Sequence, residues 1–165
     1  MPAKFKVSHE IPSDVETAYA AISGERWAAA KAARLNDESK VIRRDVGPGD
    51  AVTLVVSRKL PDGIPGFLQK FLPSDGKVTQ TDSWDAALDG VRTGTWKAET
   101  PGSPAKIDGT MRLEPAGGGC RYVVEGTVKV SIPLIGGKAE GFAVGMTEKL
   151  TAAEAEVLRT LVSPS

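Results

Sequence analysis

Between Pro133 and Leu161 apolar residues return at helical spacing: Ile135, Ala139, Phe142, Ala143, Met146, Leu150, Val157, Leu158 and Leu161. Lys138, Glu140, Glu148, Lys149, Glu154, Glu156 and Arg159 are assigned to the opposite side. The pattern predicts one long amphipathic helix, opened by Pro133, whose missing N–H has no partner in a first turn anyway, and stopped by Pro164. A stripe of that length needs a cover. Upstream the hydrophobic period changes to two: Phe5, Val7, His9 and Ile11 alternate with Lys4, Lys6, Ser8 and Glu10, as in a half-buried strand. Pro12 ends that strand, and Ser13-Asp14-Val15-Glu16 has capping-box spacing, with Ser13 expected to accept from a first-turn N–H and Glu16 to reach back. Val15, Ala18, Tyr19 and Ile22 give a first short helix its apolar face, Gly24 interrupts it, and the alanine-rich stretch 25–35 restarts helix around Trp27.

Strand patterns then recur at 40–46, 51–60, 76–85, 91–98, 105–114 and 120–130, separated by turn chemistry such as Gly47-Pro48-Gly49-Asp50, Asp89-Gly90 and Gly117-Gly118-Gly119. They read as an antiparallel meander. In its last two strands Ile107, Gly109, Met111 and Leu113 share a dry face with Tyr122, Val124, Val128 and Val130, while Lys106, Asp108, Arg112, Arg121, Glu125 and Lys129 take the wet one. The segment 60–73 breaks the rhythm, because Pro65 can open a short helix with Phe67, Leu68, Phe71 and Leu72 on one side. It is either a helix closing one end of the core or a lid over a cavity mouth, with transient membrane contact as a third reading.

The length of 165 residues fits one domain, 1–165, and 41% apolar content can build its core. Lys+Arg and Asp+Glu both total 21, so no global basic field attracts nucleic acid, and no nucleic-acid partner is expected. Residues 1–8 contain no apolar signal core and no stretch is long enough to span a bilayer, so stable membrane insertion and standard export are not expected. The expected location is the cytoplasm, as a monomer or weak homodimer. Without a histidine pair, a cysteine pair or a calcium-loop acidic cluster, no metal or other cofactor is expected.

Four features carry candidate chemistry. Cys120, beside Tyr122 and Val124, reads as a buried thiol; as a nucleophile it would need His9, the one imidazole, as its base. His9 shares the parity of Phe5 and Val7, so it is either a core histidine or a group that orients a ligand. Val78, Gln80, Asp82 and Trp84 share one face of their strand. If that face points inward, Gln80 and Asp82 meet an apolar cavity and the Asp82 pKa is raised; if the strand is an edge, both faces are wet. Gly137, Gly141 and Gly145 form a stripe on the long helix, for close packing on the sheet, cavity volume or a dimer seam.

The order strand, two short helices, six strands, long helix resembles the helix-grip fold of the START-like (SRPBCC) superfamily, which includes birch-pollen-allergen-type proteins, lipid-transfer domains and polyketide cyclases. More narrowly, Val78-Thr79-Gln80-Thr81-Asp82-Ser83-Trp84, Pro101-Gly102-Ser103-Pro104-Ala105, Ile107-Asp108-Gly109 and the run from Val130 to Glu140 resemble an uncharacterised bacterial family of actinobacterial type within it. The resemblance implies an α+β fold with a seven-stranded curved antiparallel sheet wrapped round the C-terminal helix. It also implies hydrophobic ligand binding in many relatives and catalysis in a minority, and it carries over no catalytic residue. The expected ligand is a hydrophobic small molecule such as a lipid, fatty acid, polyketide or isoprenoid. The expected cavity lining is Val7, His9, Leu54, Val56, Trp84, Trp96, Met111, Tyr122, Phe142, Met146 and Leu150, with Phe67 and Phe71 at the mouth. The rivals are a cyclase, dehydratase or hydrolase using His9, Asp82 or Tyr122, and an interaction module with a filled core.

Overall fold

The computed structural model describes residues 2–73 and 75–163; Pro164, the expected helix stop, lies outside the described residues. The chain runs β1 (Ala3–Ile11), α1 (Val15–Ile22), α2 (Arg26–Leu35), β2 (Lys40–Val46), β3 (Val52–Lys59), α3 (Gly66–Gln69), β4 (Lys77–Trp84), β5 (Arg92–Glu99), β6 (Ala105–Ala116), β7 (Gly119–Val130) and α4 (Gly136–Val162). The seven strands form one sheet in the order β1-β7-β6-β5-β4-β3-β2, antiparallel at every pairing. β6 and β7 pair as their alternation requires, Met111 opposite Val124 and Leu113 opposite Tyr122, all four buried.

A cross-strand row of Trp96, Gly109, Gly126 and Phe5 runs through β5, β6, β7 and β1. Gly126 leaves room for both rings, since a Cβ there would lie 2.6 Å from Phe5 and 2.7 Å from Trp96, whereas Gly109 lets the β7 backbone approach, since a Cβ there would strike the Glu125 carbonyl oxygen. The Trp96 indole N–H lies between strands and donates to the carbonyls of Thr110 and Glu125, both at 3.2 Å. Trp96 is thus fixed as a structural group whose polar atom is already satisfied.

Two expectations about helix ends are corrected. Asp14, not Ser13, caps α1 by accepting from the Thr17 N–H at 2.8 Å, while the Ser13 hydroxyl donates to the Asp14 carbonyl. Glu16 turns away from the cap because buried Arg92, stacked 3.9 Å from the Tyr19 ring centroid, donates to it through a fork at 2.8 and 2.9 Å. At the other end α4 starts at Gly136, three positions after Pro133, with Leu134 exposed at φ 71° between them. The start is set by two bonds: the Gly136 N–H donates to the carbonyl of Ile132, in the connection after β7, at 2.9 Å, and the Glu140 carboxylate accepts from the Val130 N–H at the end of β7 at 2.9 Å.

Glu140 and Glu154, assigned to the polar side of the helix, are both buried, each 6% exposed. The glycine stripe is corrected too. A Cβ at Gly137, Gly141 or Gly145 meets nothing within 4 Å, so the stripe neither packs on the sheet nor lines the cavity described below. Gly141→Ala is therefore expected to stabilise the chain by roughly 1 kcal/mol through helix propensity alone, as read in urea melts. Lost stability would mean that the stripe is covered after all.

Candidate functional site

Two adjacent spaces with shared lining residues lie between the inner face of the sheet and α4. The outer cavity has a volume of about 330 Å³. Val78, Ile107 and Val130 of the sheet form one wall, and Ala139, Phe142, Ala143, Met146 and Leu150 of α4 form the other. The segment carrying α3 closes its end through Leu60, Ile64, Leu68, Phe71 and Leu72. The inner chamber, about 60 Å³, shares Arg58, Ala98, Ile107, Thr147 and Leu150 with the outer space and adds Gln80, Asp82, Trp96, Met111, Tyr122, Thr151 and Glu154. An apolar cavity thus ends in a polar floor, an arrangement suited to a ligand with an apolar body and one polar group.

The floor is held by four elements. Lys31 of α2, 2% exposed, donates to Glu154 of α4 at 2.9 Å and lies 5.2 Å from the Trp27 ring centroid. Gln80 Nε2 donates to Asp82 Oδ1 at 3.0 Å, and Arg58 Nε donates to Gln80 Oε1 at 3.4 Å. Burial pushes the Asp82 carboxyl up from its ordinary value, opposed by Lys31 and by the Gln80 amide. Burial likewise drives the Tyr122 phenol well up, with Glu154 and Asp82 adding to it, so this hydroxyl stays protonated and faces the chamber as a donor. Arg58 is pulled down by burial and held up by Glu154, Asp37 and Asp82.

Because folding raises the Asp82 pKa above its unfolded value, the native state holds this proton more tightly. Stability is lost as pH rises from the ordinary carboxylate range through the raised value. Asp82→Asn keeps the acceptor for Gln80 without the charge, so its thermal midpoint should exceed the wild-type one at pH 7 and the gain should vanish below about pH 4. A lower midpoint for the variant at pH 7 would show that the charged form is the stabilised one.

Phe142, Met146, Leu150 and Phe71 line the outer cavity, while Trp96, Met111, Tyr122 and again Leu150 line the inner chamber. Val7, His9, Leu54, Val56 and Trp84 line neither. Leu54, Val56 and Trp84 share a packed cluster with Tyr19, Ala155 and Leu158, so α1 and the last turns of α4 fill that end of the sheet. Val7 packs at the edge of this cluster. His9 sits half-buried opposite Tyr122 on β1, its pKa lowered by burial and by Arg159, and its buried Nε2 has no partner among the described residues. Phe67 lies under the Lys138 ammonium, 5.1 Å from its ring centroid, and ties α3 to the first turn of α4 instead of lining the mouth. Cys120 is fully buried opposite Ile11, and burial raises its pKa, which removes the thiolate that a nucleophile needs.

Lys31, Arg58 and Glu154 were not anticipated. Each sits where spacing alone points inward: Arg58 follows Val52, Leu54 and Val56 at period two, Lys31 follows Trp27 by one helical turn, and Glu154 lies on the stripe of Thr147, Thr151 and Leu158. Their charge argued for the surface, and mutual pairing and cavity contact override it.

Among the described residues no helix is long and apolar enough to cross a membrane, and no cluster of three His, Cys, Asp or Glu side chains is placed to hold a metal ion. The uncharacterized protein Rv0481c of Mycobacterium tuberculosis is 27% identical over 148 residues, 85% of each chain. Among solved structures, TTHA0849 from Thermus thermophilus superposes with a TM-score of 0.62 at 17% identity, covering 97% of both chains. The di-domain ARO/CYC StfQ from the steffimycin biosynthetic pathway gives a TM-score of 0.63 at 12% identity, covering 98% of this chain and 51% of its own. These likenesses are of fold: a curved antiparallel sheet wrapped on a long C-terminal helix, the helix-grip architecture. Residues 6–162 match the model of the family described as "Protein of unknown function (DUF2505)", and the chain belongs to that family.

Proposed function

We infer that the protein binds or carries a hydrophobic small molecule, such as a lipid, fatty acid, polyketide or isoprenoid, as a cytoplasmic protein. The observation that carries this reading is the cavity of about 330 Å³ between sheet and α4, walled by Val78, Ile107, Phe142, Met146 and Leu150. Apolar surface removed from water there contributes roughly 25 cal/mol per Å², less the cost of ordering the ligand. The α3 segment contributes Leu68, Phe71 and Leu72 to the same space. The neutral polarity-sensitive dye Nile red tests this reading: it is expected to bind saturably at one site per chain with a blue-shifted emission. A linear, unsaturable response would contradict it.

A cyclase- or dehydratase-type enzyme is the second reading, and one observation favours it: Asp82, pushed toward its protonated form, and the Tyr122 hydroxyl face the same inner chamber. His9, away from that chamber, has no part in such a mechanism.

A further inference from the structure

Arg58 is a buried cation whose own chain leaves most of its donors unused. It is 9% exposed, occupies the fourth inward position of β3 after Val52, Leu54 and Val56, and stands where the outer cavity meets the inner chamber. Its Nε makes one long bond, 3.4 Å, to the Gln80 side chain. Among the described residues its two terminal nitrogens have no hydrogen-bond acceptor, and no carboxylate lies within ion-pair distance. Each nearby acid has one oxygen engaged elsewhere. Glu154 holds Lys31, Asp82 Oδ1 accepts from Gln80, and Asp37 Oδ1 accepts from the Ser39 N–H at 3.0 Å and from its hydroxyl at 2.6 Å.

A guanidinium presents donors only, in a planar fork that matches a carboxylate. A buried guanidinium whose terminal donors have no direct partner is costly, so a ligand that brings an acceptor to them regains part of that cost. The chamber, at about 60 Å³, admits a small planar group and excludes a bulky headgroup. We propose that the ligand is an amphiphile whose carboxylate forks onto Arg58 at the inner end of the cavity, with its hydrocarbon body against Leu68, Phe71, Phe142 and Met146. This rests on the hydrophobic-ligand reading above. The competing arrangement turns Arg58 onto Asp37 Oδ2, a buried oxygen without a partner on the same cavity wall, and would leave no preference for an acid.

Dodecanoate, dodecanol and methyl dodecanoate share one chain and differ in the polar end. In Nile red displacement at fixed ionic strength, dodecanoate is expected to compete at a concentration at least about tenfold lower than the alcohol or the ester, as a charge-assisted fork implies. Arg58→Gln is expected to lose that preference while still binding the ester. Equal potency of the three on the wild-type protein, including no displacement by any, overturns the proposal even if the variant fails to fold. So does an acid preference that survives Arg58→Gln. If Nile red itself does not bind, the hydrophobic-ligand reading fails and this inference falls with it, whereas dye binding with equal potency removes this inference alone.

Discussion

Lys31→Met is expected to lower the unfolding free energy by about 3–5 kcal/mol, because it leaves Glu154 buried without its cation. The pair lies at 2.9 Å with side-chain exposures of 2% and 8%, so water cannot take the place of the missing ammonium. The same substitution also removes the Lys31 contact with the Trp27 ring. The double variant Lys31→Met/Glu154→Leu tests the cause. It replaces two charges by apolar groups of similar length and should recover most of the loss, since an uncompensated charge, not a missing contact, is what destabilises the single variant. Urea melts of the wild type and the three variants measure the coupling. Additive losses would show that the two groups act independently.

Ala143→Trp should weaken binding of any hydrophobic ligand by about two orders of magnitude or more while leaving the fold intact. Ala143 lies on the cavity side of α4 among Ala139, Phe142, Met146 and Thr147. An indole there occupies the space that the ligand body needs and supplies its own apolar surface to the walls. A loss of that size corresponds to roughly 3 kcal/mol, the scale expected when several buried methylenes lose their site at about 0.8 kcal/mol each. Nile red titration beside a thermal melt separates the two effects: binding should vanish with the midpoint near that of the wild type. Unchanged dye affinity in a folded variant would put the binding site elsewhere on the molecule.

The meander and its faces were legible because they depend on local pattern. Parity alone set Met111 and Leu113 facing inward with Tyr122 and Val124, and the even positions of β4, led by Trp84, do carry Asp82 into the interior. Parity reports the face of a sheet but not the end at which a residue lies. Leu54, Val56 and Trp84 point inward as expected, yet α1 and the C-terminal turns of α4 fill the space above them, and the cavity opens at the other end under α3. The polar floor was hidden for a different reason. Lys31 and Glu154 are 123 positions apart, and nothing local shows that each charge will meet its partner. The start of α4 is misplaced by pattern alone because Glu140 looks like a solvated charge, although it binds the Val130 N–H and so anchors the helix to the end of β7.

Native mass spectrometry of the protein after incubation with a total lipid extract tests the container reading most directly. The expected spectrum shows one discrete adduct per chain in the wild type, released by organic solvent and absent from Ala143→Trp. Wild-type protein that keeps only its bare mass throughout would contradict the reading and leave the space between sheet and α4 without a ligand.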